Sequence, residues 1–240
     1  KAEDAELALK ATKHIQEIQN TLGTLSTLVS IRNSINTKDS FYEEETAFWD
    51  EHFPIIGEWD TAYYRAVLGS KWRSELENYL PETFFPMAEN SLKVFSPEII
   101  PLLQQENKLS TEYSKLQASA EIEFQGQTYN LPGMAKFAQD PDREVRRQAS
   151  ELVSAFYNDH EAEFDRIYDQ LVKVRDQIAK TLGFKDFVEV GYLRMNRLDY
   201  NRQQVEVYRQ EILEHVVPVV NKLYQRQADR LGLESLKPYD

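Results

Sequence analysis

The stretch Glu121-Ile122-Glu123-Phe124-Gln125-Gly126-Gln127-Thr128-Tyr129-Asn130 is the one place where the apolar residues of this chain leave helical spacing. Apolar and polar residues alternate in its first half, Gln125-Gly126 has the composition of a turn, and apolar character returns after it. Alternation on both sides of a turn that contains glycine predicts a β-hairpin. Because an isolated two-stranded ribbon is only marginally stable in water, we expect Ile122, Phe124 and Tyr129 to hold it against neighbouring helices.

Outside the hairpin the apolar residues recur every three or four positions, which is typical of helices that bury one face. One such stripe predicts a long helix from Ala5 to Ile35. Ser96-Pro97-Glu98 and Asp140-Pro141-Asp142 each place a capping residue, a proline and an acid at a helix start. Gly183 and Gly232 predict helix ends, because glycine readily takes the left-handed conformation found there. A further stripe consists of Phe164, Ile167, Leu171, Val174 and Ile178. The predicted fold is all-α, a mostly helical array with one small β-hairpin near residues 121–130.

Proline and glycine predict several departures from regular helix. Pro54 and Gly57 should interrupt the second helix as a kink or a short break. Pro218 should kink a last long helix that runs from Val205 to Leu231. The other segments expected to lack helix are Phe84–Phe95 (irregular), Leu131–Met134 (a loop) and Leu236–Asp240 (an extended end).

Composition and charge exclude several classes of partner. The net charge of -12 argues against nucleic acid, because phosphate binding requires a basic surface. The absence of cysteine excludes disulfides and thiolate zinc ligands, and it fits a reducing cytoplasm. No apolar run approaches the roughly 18 residues that a membrane span needs. The acidic start Lys1-Ala2-Glu3-Asp4-Ala5-Glu6 is helix-like and does not resemble a signal peptide. We therefore expect a trimmed, cytoplasmic chain with no membrane partner.

The histidines and acidic residues form no complete catalytic or metal-binding motif. His160-Glu161 begins like the zinc-binding sequence His-Glu-x-x-His, but Phe164 stands where the second imidazole must lie one helical turn later. We therefore expect His160 to be a surface residue at a helix end. The acidic pairs fall in capping or solvated positions, where a carboxylate lacks the shifted pKa that acid–base catalysis needs. Those pairs are Glu43/Glu44/Glu45, Asp140/Asp142 and Asp165/Asp169. The run Asp142–Arg147 predicts a salt-bridged helix start.

The densest cluster of polar and aromatic residues is the run from Gly191 to Tyr200. Arg194 and Arg197 lie three apart, which would place both on one helix face. They could hold a substrate carboxylate in a bidentate manner, or pair with Asp199 and neighbouring acids, and the sequence favours the pairing. Tyr192, Arg194, Arg197 and Tyr200 are the candidate substrate-contacting residues.

An ordered set of short motifs resembles the oligoendopeptidase F family, whose members are zinc metallopeptidases similar to thimet oligopeptidase. Each motif is weakly specific alone, but together they cover about the last 130 residues in the family's order. The motifs are Leu109–Leu116, Ile122–Gly126, Asp140–Arg146, Arg175–Ala179, Leu182-Gly183-Phe184, Tyr192–Tyr200 and Leu231–Asp240.

The resemblance implies a mostly helical protein with two lobes around a deep channel in which short peptides are cleaved. Residues 1–159 would form the N-terminal helical lobe with the hairpin, and residues 160–240 the opening helices of the catalytic region. In the family, zinc is bound by a His-Glu-x-x-His helix and a further Glu, which lie beyond the part matched here. No catalytic residue or zinc ligand can therefore be assigned in this chain, which we expect to be inactive alone. The expected partners are short peptide substrates and the C-terminal catalytic region of the same protein.

A second function class remains open. The chain could be a self-contained helical adaptor, without catalytic activity, whose long N-terminal helices bind a partner helix.

Overall fold

The computed structural model describes residues 3–240 and confirms the predicted mostly helical array with one small β-hairpin. The elements are α1 (Ala5–Ile35), α2 (Ser40–Leu68), α3 (Arg73–Leu76), α4 (Phe84–Lys93), α5 (Ile100–Ala118), β1 (Ile122–Phe124), β2 (Gln127–Tyr129), α6 (Leu131–Met134), α7 (Arg143–Asp159), α8 (Glu161–Thr181), α9 (Phe187–Arg194), α10 (Arg202–Glu211) and α11 (Val217–Leu231). Short 3-10 turns occupy Pro97–Ile99 and Ala135–Gln139, and a π turn occupies Ile212–Val216. Within the described residues, no helix is both long enough and apolar enough to cross a membrane.

The chain forms two compact units, and each unit draws on two separate stretches of sequence. The first unit comprises residues up to 112 together with 168–199, and the second comprises 113–167 together with 200–240. The predicted division between residues 159 and 160 is a boundary of another kind, between parts of a longer protein, and it stays a prediction.

The first unit contains two apolar clusters. In one, Tyr63 and Val67 of α2 pack with Leu76 of α3 and Phe85 of α4, and Ile15 of α1 lies against them. The other joins α5, with the 3-10 turn before it, to α8 through the buried side chains Ile99, Leu109, Val174 and Ile178. Phe187 of α9 packs against this second cluster. The charged residues described below are held by the same three helices.

The second unit contains the hairpin, which packs as predicted. β1 and β2 pair antiparallel, with Ile122 opposite Tyr129 and Phe124 opposite Gln127. Ile122 and Phe124 are buried, and Tyr129 is partly buried against the same cluster. The Phe137 ring lies 4.8 Å from the Phe124 ring and 5.2 Å from the Tyr129 ring, edge to face in both cases. Apolar packing therefore supplies the stability that a two-stranded ribbon lacks by itself.

The predicted short break in α2 and the predicted irregular segment Phe84–Phe95 are wrong. α2 continues through Pro54, whose side chain is buried, so tertiary packing outweighs the local cost of the proline. Phe84–Phe95 is not irregular, because α4 spans most of it. Its Pro86 lies in the first turn, where a missing N–H removes no intrahelical hydrogen bond. Phe85 and Ala88, three residues apart, form the buried face.

Three helix starts differ in detail from the predictions. Leu131–Met134 is a short helix and not a loop, because Gly133 N donates to Asn130 Oδ1 over 2.8 Å. The start near Asp140 is confirmed, but the cap is Asp142, whose carboxylate accepts from Glu144 N over 2.8 Å. Ser96 makes no capping hydrogen bond, and a 3-10 turn leads into α5 instead.

The end of the chain differs from the prediction at two places. The predicted long helix around Pro218 consists of α10, a π turn and α11, and the wider π turn accommodates a proline that cannot donate a hydrogen bond. Leu236–Asp240 is not extended. Lys237 N donates to Asp240 Oδ2 over 2.9 Å, and Asp240 N donates to Lys237 O over 2.9 Å, which closes a turn. The Arg143 guanidinium binds the Asp240 carboxylate, with 2.6 Å between Nε and Oδ1.

Candidate functional site

The predicted arginine pair does not share a helix face. Asp186 caps α9 through a 2.9 Å hydrogen bond from Val188 N, and the helix ends at Arg194. The chain then turns through Asn196, whose φ of 49° lies in the left-handed region. Arg197 therefore follows the helix end, where its backbone N donates to Tyr192 O over 3.2 Å. The expectation that helical spacing aligns Arg194 with Arg197 is wrong, because the helix is one turn too short.

Arg194 forms an ion pair with Glu106 of α5. Arg194 Nη1 donates to Glu106 Oε2 over 2.9 Å, and Arg175 Nε of α8 donates to Glu106 Oε1 over 2.7 Å. Glu106 is buried, with 8% of its surface exposed, so its charge requires such partners. One carboxylate thus joins two guanidinium groups from helices that are distant in the sequence.

Phe187 provides an apolar surface for both arginines. The guanidinium carbon of Arg194 lies 5.3 Å from the centre of the Phe187 ring, and that of Arg175 lies 5.7 Å from it. Arg194 Nη2 is buried and has no hydrogen-bond partner among the described residues. The electron-rich face of the Phe187 ring attracts this guanidinium and compensates for the missing hydrogen bond.

The charge of Glu106 is stable at neutral pH. Burial raises the pKa of its carboxyl, but the attraction and hydrogen bonds of Arg194 and Arg175 outweigh burial, so the pKa lies below its ordinary value of 4.5. Glu106 is therefore ionised at neutral pH and is not poised to act as a general acid. The cluster of Glu106, Arg175 and Arg194 carries a net charge of about +1, counting one carboxylate against two guanidiniums.

The other candidate residues have different surroundings. The Arg197 guanidinium lies over the Tyr192 ring, 4.9 Å from its centre. Tyr200 is exposed and belongs to the second compact unit. Arg194 pairs with an acid, as the sequence favoured, but the partner is Glu106, 88 residues away, and not Asp199.

Sequence reasoning missed Glu106, Arg175 and Phe187 as site residues. The spacing of the apolar residues nevertheless indicates Glu106 and Arg175. Glu106 lies three residues before Leu109, which faces the core of the first unit. Arg175 occupies the equivalent place in α8, three residues before the buried Ile178. A charged residue within an apolar stripe requires a buried partner, and two such residues on neighbouring helices predict an ion pair.

The residues considered for metal binding have other interactions. His160 follows α7, where its Nδ1 lies 2.8 Å from Phe156 O and its ring lies 4.5 Å from the Phe156 ring. Phe164, at the position of the second zinc-binding imidazole, packs against the rings of Tyr113 and Tyr157. Among residues 3–240, no three His, Cys, Asp or Glu side chains are grouped so that they could hold a metal ion. These residues therefore do not fit a catalytic zinc ion.

The salt-bridged start predicted for α7 is confirmed. Arg147 pairs with Glu144 and, at 2.6 Å, with Glu151. The hydrogen bond from Arg147 lowers the pKa of Glu144 to about 2, with a further contribution from Gln148. These exposed pairs stabilise one helix locally.

Two family models match most of the sequence. The model of the peptidase M3 N-terminal domain matches residues 1–95, and the model of peptidase family M3 matches residues 136–240. The chain belongs to peptidase family M3. No curated protein matches it.

Solved structures agree with the M3 assignment. A Bacillus anthracis protein described as an oligoendopeptidase F is 46% identical with a TM-score of 0.95, and the match covers 100% of this chain and 44% of that chain. A PZ peptidase A solved with an inhibitor is also 46% identical with a TM-score of 0.95, with 100% of this chain and 42% of that chain covered. An oligoendopeptidase F from Enterococcus faecium, 16% identical with a TM-score of 0.76, shares the fold over 99% of this chain and 50% of that chain. The chain thus spans less than half the length of the first two relatives, and it corresponds to their N-terminal portion.

Proposed function

We propose that this chain is the N-terminal part of a zinc-dependent oligoendopeptidase that hydrolyses short peptides in the cytoplasm, and that it consists of the N-terminal helical lobe and the opening helices of the catalytic region. The observation that carries the proposal is the match of the entire chain, at 46% identity and a TM-score of 0.95, to part of a protein described as an oligoendopeptidase F. In this proposal the lobe forms a wall of the peptide channel and restricts access to small unfolded peptides. Tyr192, Arg194, Arg197 and Tyr200 contribute to the peptide-contacting surface.

The proposal places zinc on residues outside this chain, because the described residues do not fit a metal site. Zinc would supply polarisation of the scissile carbonyl and of the attacking water. The residues of this chain contribute peptide binding and orientation. The chain alone is therefore expected to cleave no peptide.

Exposed apolar residues on the last helices support a partner within the same protein. α10, the π turn and α11 expose a series of large apolar side chains, as expected for a surface that another segment covers. They are Val207, Tyr208, Leu213, Val216, Val217, Val219, Leu223, Tyr224 and Leu231. We propose that the C-terminal catalytic region, corresponding to the part of the relatives outside the match, packs on this surface.

The test is reconstitution from two fragments. This chain is co-expressed with the part of the Bacillus anthracis relative that lies outside the match, and each fragment is also purified alone. With zinc present, we expect the pair to cleave a quenched fluorogenic oligopeptide but not folded casein, and each fragment alone to be inactive. Turnover by this chain alone, in protein free of contaminating peptidase, would contradict the proposal. A stable pair without turnover would instead favour the adaptor hypothesis.

A further inference from the structure

Arg175 presents an edge of its guanidinium that the protein does not use. Its Nε is bound to Glu106, and its Nη1 and Nη2 atoms make no hydrogen bond to the described residues. The Arg175 side chain is 40% exposed, compared with 26% for Arg194. The free edge with its two parallel N–H groups has the geometry that binds a carboxylate with two hydrogen bonds.

The surroundings fix this edge in place. Arginine has many rotamers in solution, and ordering it on binding lowers affinity. Here the buried carboxylate of Glu106 holds Nε at 2.7 Å, and the Phe187 ring lies against the guanidinium. Because these contacts already order the side chain, an incoming ligand loses little additional entropy.

The electrostatic balance favours an anion. Glu106 neutralises only one of the two guanidiniums, so the cluster keeps a positive charge in a chain of net charge -12. A second carboxylate from outside would complete a set of two carboxylates and two guanidiniums. For a protein that handles peptides, that carboxylate is the C-terminus of the peptide or an acidic side chain.

We propose that the free edge of Arg175, oriented by Glu106 and Phe187, is a subsite for a carboxylate of the bound peptide. The inference rests on the proposed peptide-handling function, but its test requires no catalysis. Arg194 also helps to fix this subsite, because its Nη1 shares the Glu106 carboxylate.

The test is a titration of the isolated chain, followed by the NMR signal of the Arg175 Nε–H. The probes are acetyl-Ala-Ala-Ala-Ala with a free C-terminal carboxylate, its C-terminal amide, and the amide of acetyl-Ala-Ala-Ala-Glu. We expect the free acid, the glutamate peptide or both to shift the signal, with the two arms identifying the source of the carboxylate, and the neutral amide to have no effect.

The decisive variant is Arg175→Gln, with Arg166→Gln as its matched control. Arg166 lies on the same helix, is also 40% exposed, and pairs with Glu163 at 2.6 Å. For Arg175→Gln we expect binding at least about tenfold weaker, because the variant loses a charge-assisted hydrogen bond. For Arg166→Gln we expect no change in binding. Binding of the free-acid probe is then followed by intrinsic fluorescence, because the Arg175 signal is absent.

A second variant separates loss of binding from loss of fold. Arg175→Lys keeps the positive charge beside Glu106 but removes the two-pronged edge, so it should fold normally and bind almost as weakly as Arg175→Gln. Equal binding by the wild type, Arg175→Lys and Arg175→Gln would overturn the proposal, as would binding of the neutral amide as tightly as the acid. Failure of this test would leave the fragment reconstitution unaffected, and failure of the reconstitution would leave this binding measurement intact.

Discussion

Replacing Glu106 by glutamine tests whether the buried carboxylate stabilises the first unit. The substitution keeps the shape of the side chain and removes the charge that joins Arg175 and Arg194, at 2.7 Å and 2.9 Å. Each charge-assisted hydrogen bond contributes about 1.5–3 kcal/mol where it is well shielded. Solvent screens the partly exposed arginines, and the variant no longer buries a charged carboxylate, so the net loss is smaller. We expect the free energy of unfolding to fall by about 1–3 kcal/mol at pH 7.

The assay is urea unfolding followed by circular dichroism, across a range of pH. With an m-value of about 2–3 kcal/mol per molar urea, the midpoint should fall by roughly 0.3–1.5 M. The folded-state pKa of Glu106 lies below its ordinary value of 4.5, so its contribution is present above that value and is lost as the pH falls through the folded pKa. The difference between wild type and variant should therefore shrink in acid. Glu163→Gln, which removes an exposed partner of Arg166, is the control and should leave the midpoint unchanged. Equal stability of Glu106→Gln and wild type at pH 7, or a difference that does not shrink as the pH is lowered, would refute this account of the cluster.

Two further predictions concern the hairpin. Phe124→Ala removes a buried ring that packs edge to face on Phe137 at 4.8 Å. It should therefore lower the free energy of unfolding by about 3–5 kcal/mol. The control, alanine at the exposed Gln127, should have little effect. A loss below about 1 kcal/mol in urea unfolding would show that the hairpin is not held by this contact. Gln125→Asn should raise the melting temperature slightly, because Gln125 and Gly126 have φ of 51° and 77° and Asn-Gly is the preferred pair for such a turn. A lower melting temperature in differential scanning calorimetry would count against this turn type.

The hairpin and the long helices were predictable because each depends on a local pattern. Alternation around Gln125-Gly126 sets both the strands and the turn, and the three-and-four spacing sets helices such as α1. The errors occurred where tertiary packing outweighs a local rule. α2 has no break at Pro54, and most of Phe84–Phe95 is helical, because buried faces on both helices stabilise them.

The candidate site was less predictable because its members are far apart in the chain. The sequence drew attention to Arg194, but its partner Glu106 precedes it by 88 residues, and only the packing of α5, α8 and α9 brings them together. The run from Tyr192 to Tyr200 suggested ion-pair partners nearby, because a sequence pattern identifies only acids that are close in the chain. The end of α9 at Arg194 could not be fixed by spacing alone, and that end separates Arg194 from Arg197.

The Glu106 cluster permits one measurement that separates charge from orientation as the basis of carboxylate binding. Glu106→Gln raises the net charge of the cluster from about +1 to about +2, so a purely electrostatic site should bind a free-acid peptide more tightly. The same change replaces one of the two acceptor oxygens with an NH2 group, so the side chain can no longer hold both Arg175 and Arg194, and an oriented two-pronged site should bind the peptide less tightly. We expect weaker binding, because an exposed guanidinium without a fixed position gains little from one more screened charge. Tighter binding by this variant would show that binding of the peptide carboxylate depends on charge alone. It would also show that the buried glutamate does not act by holding Arg175 in position.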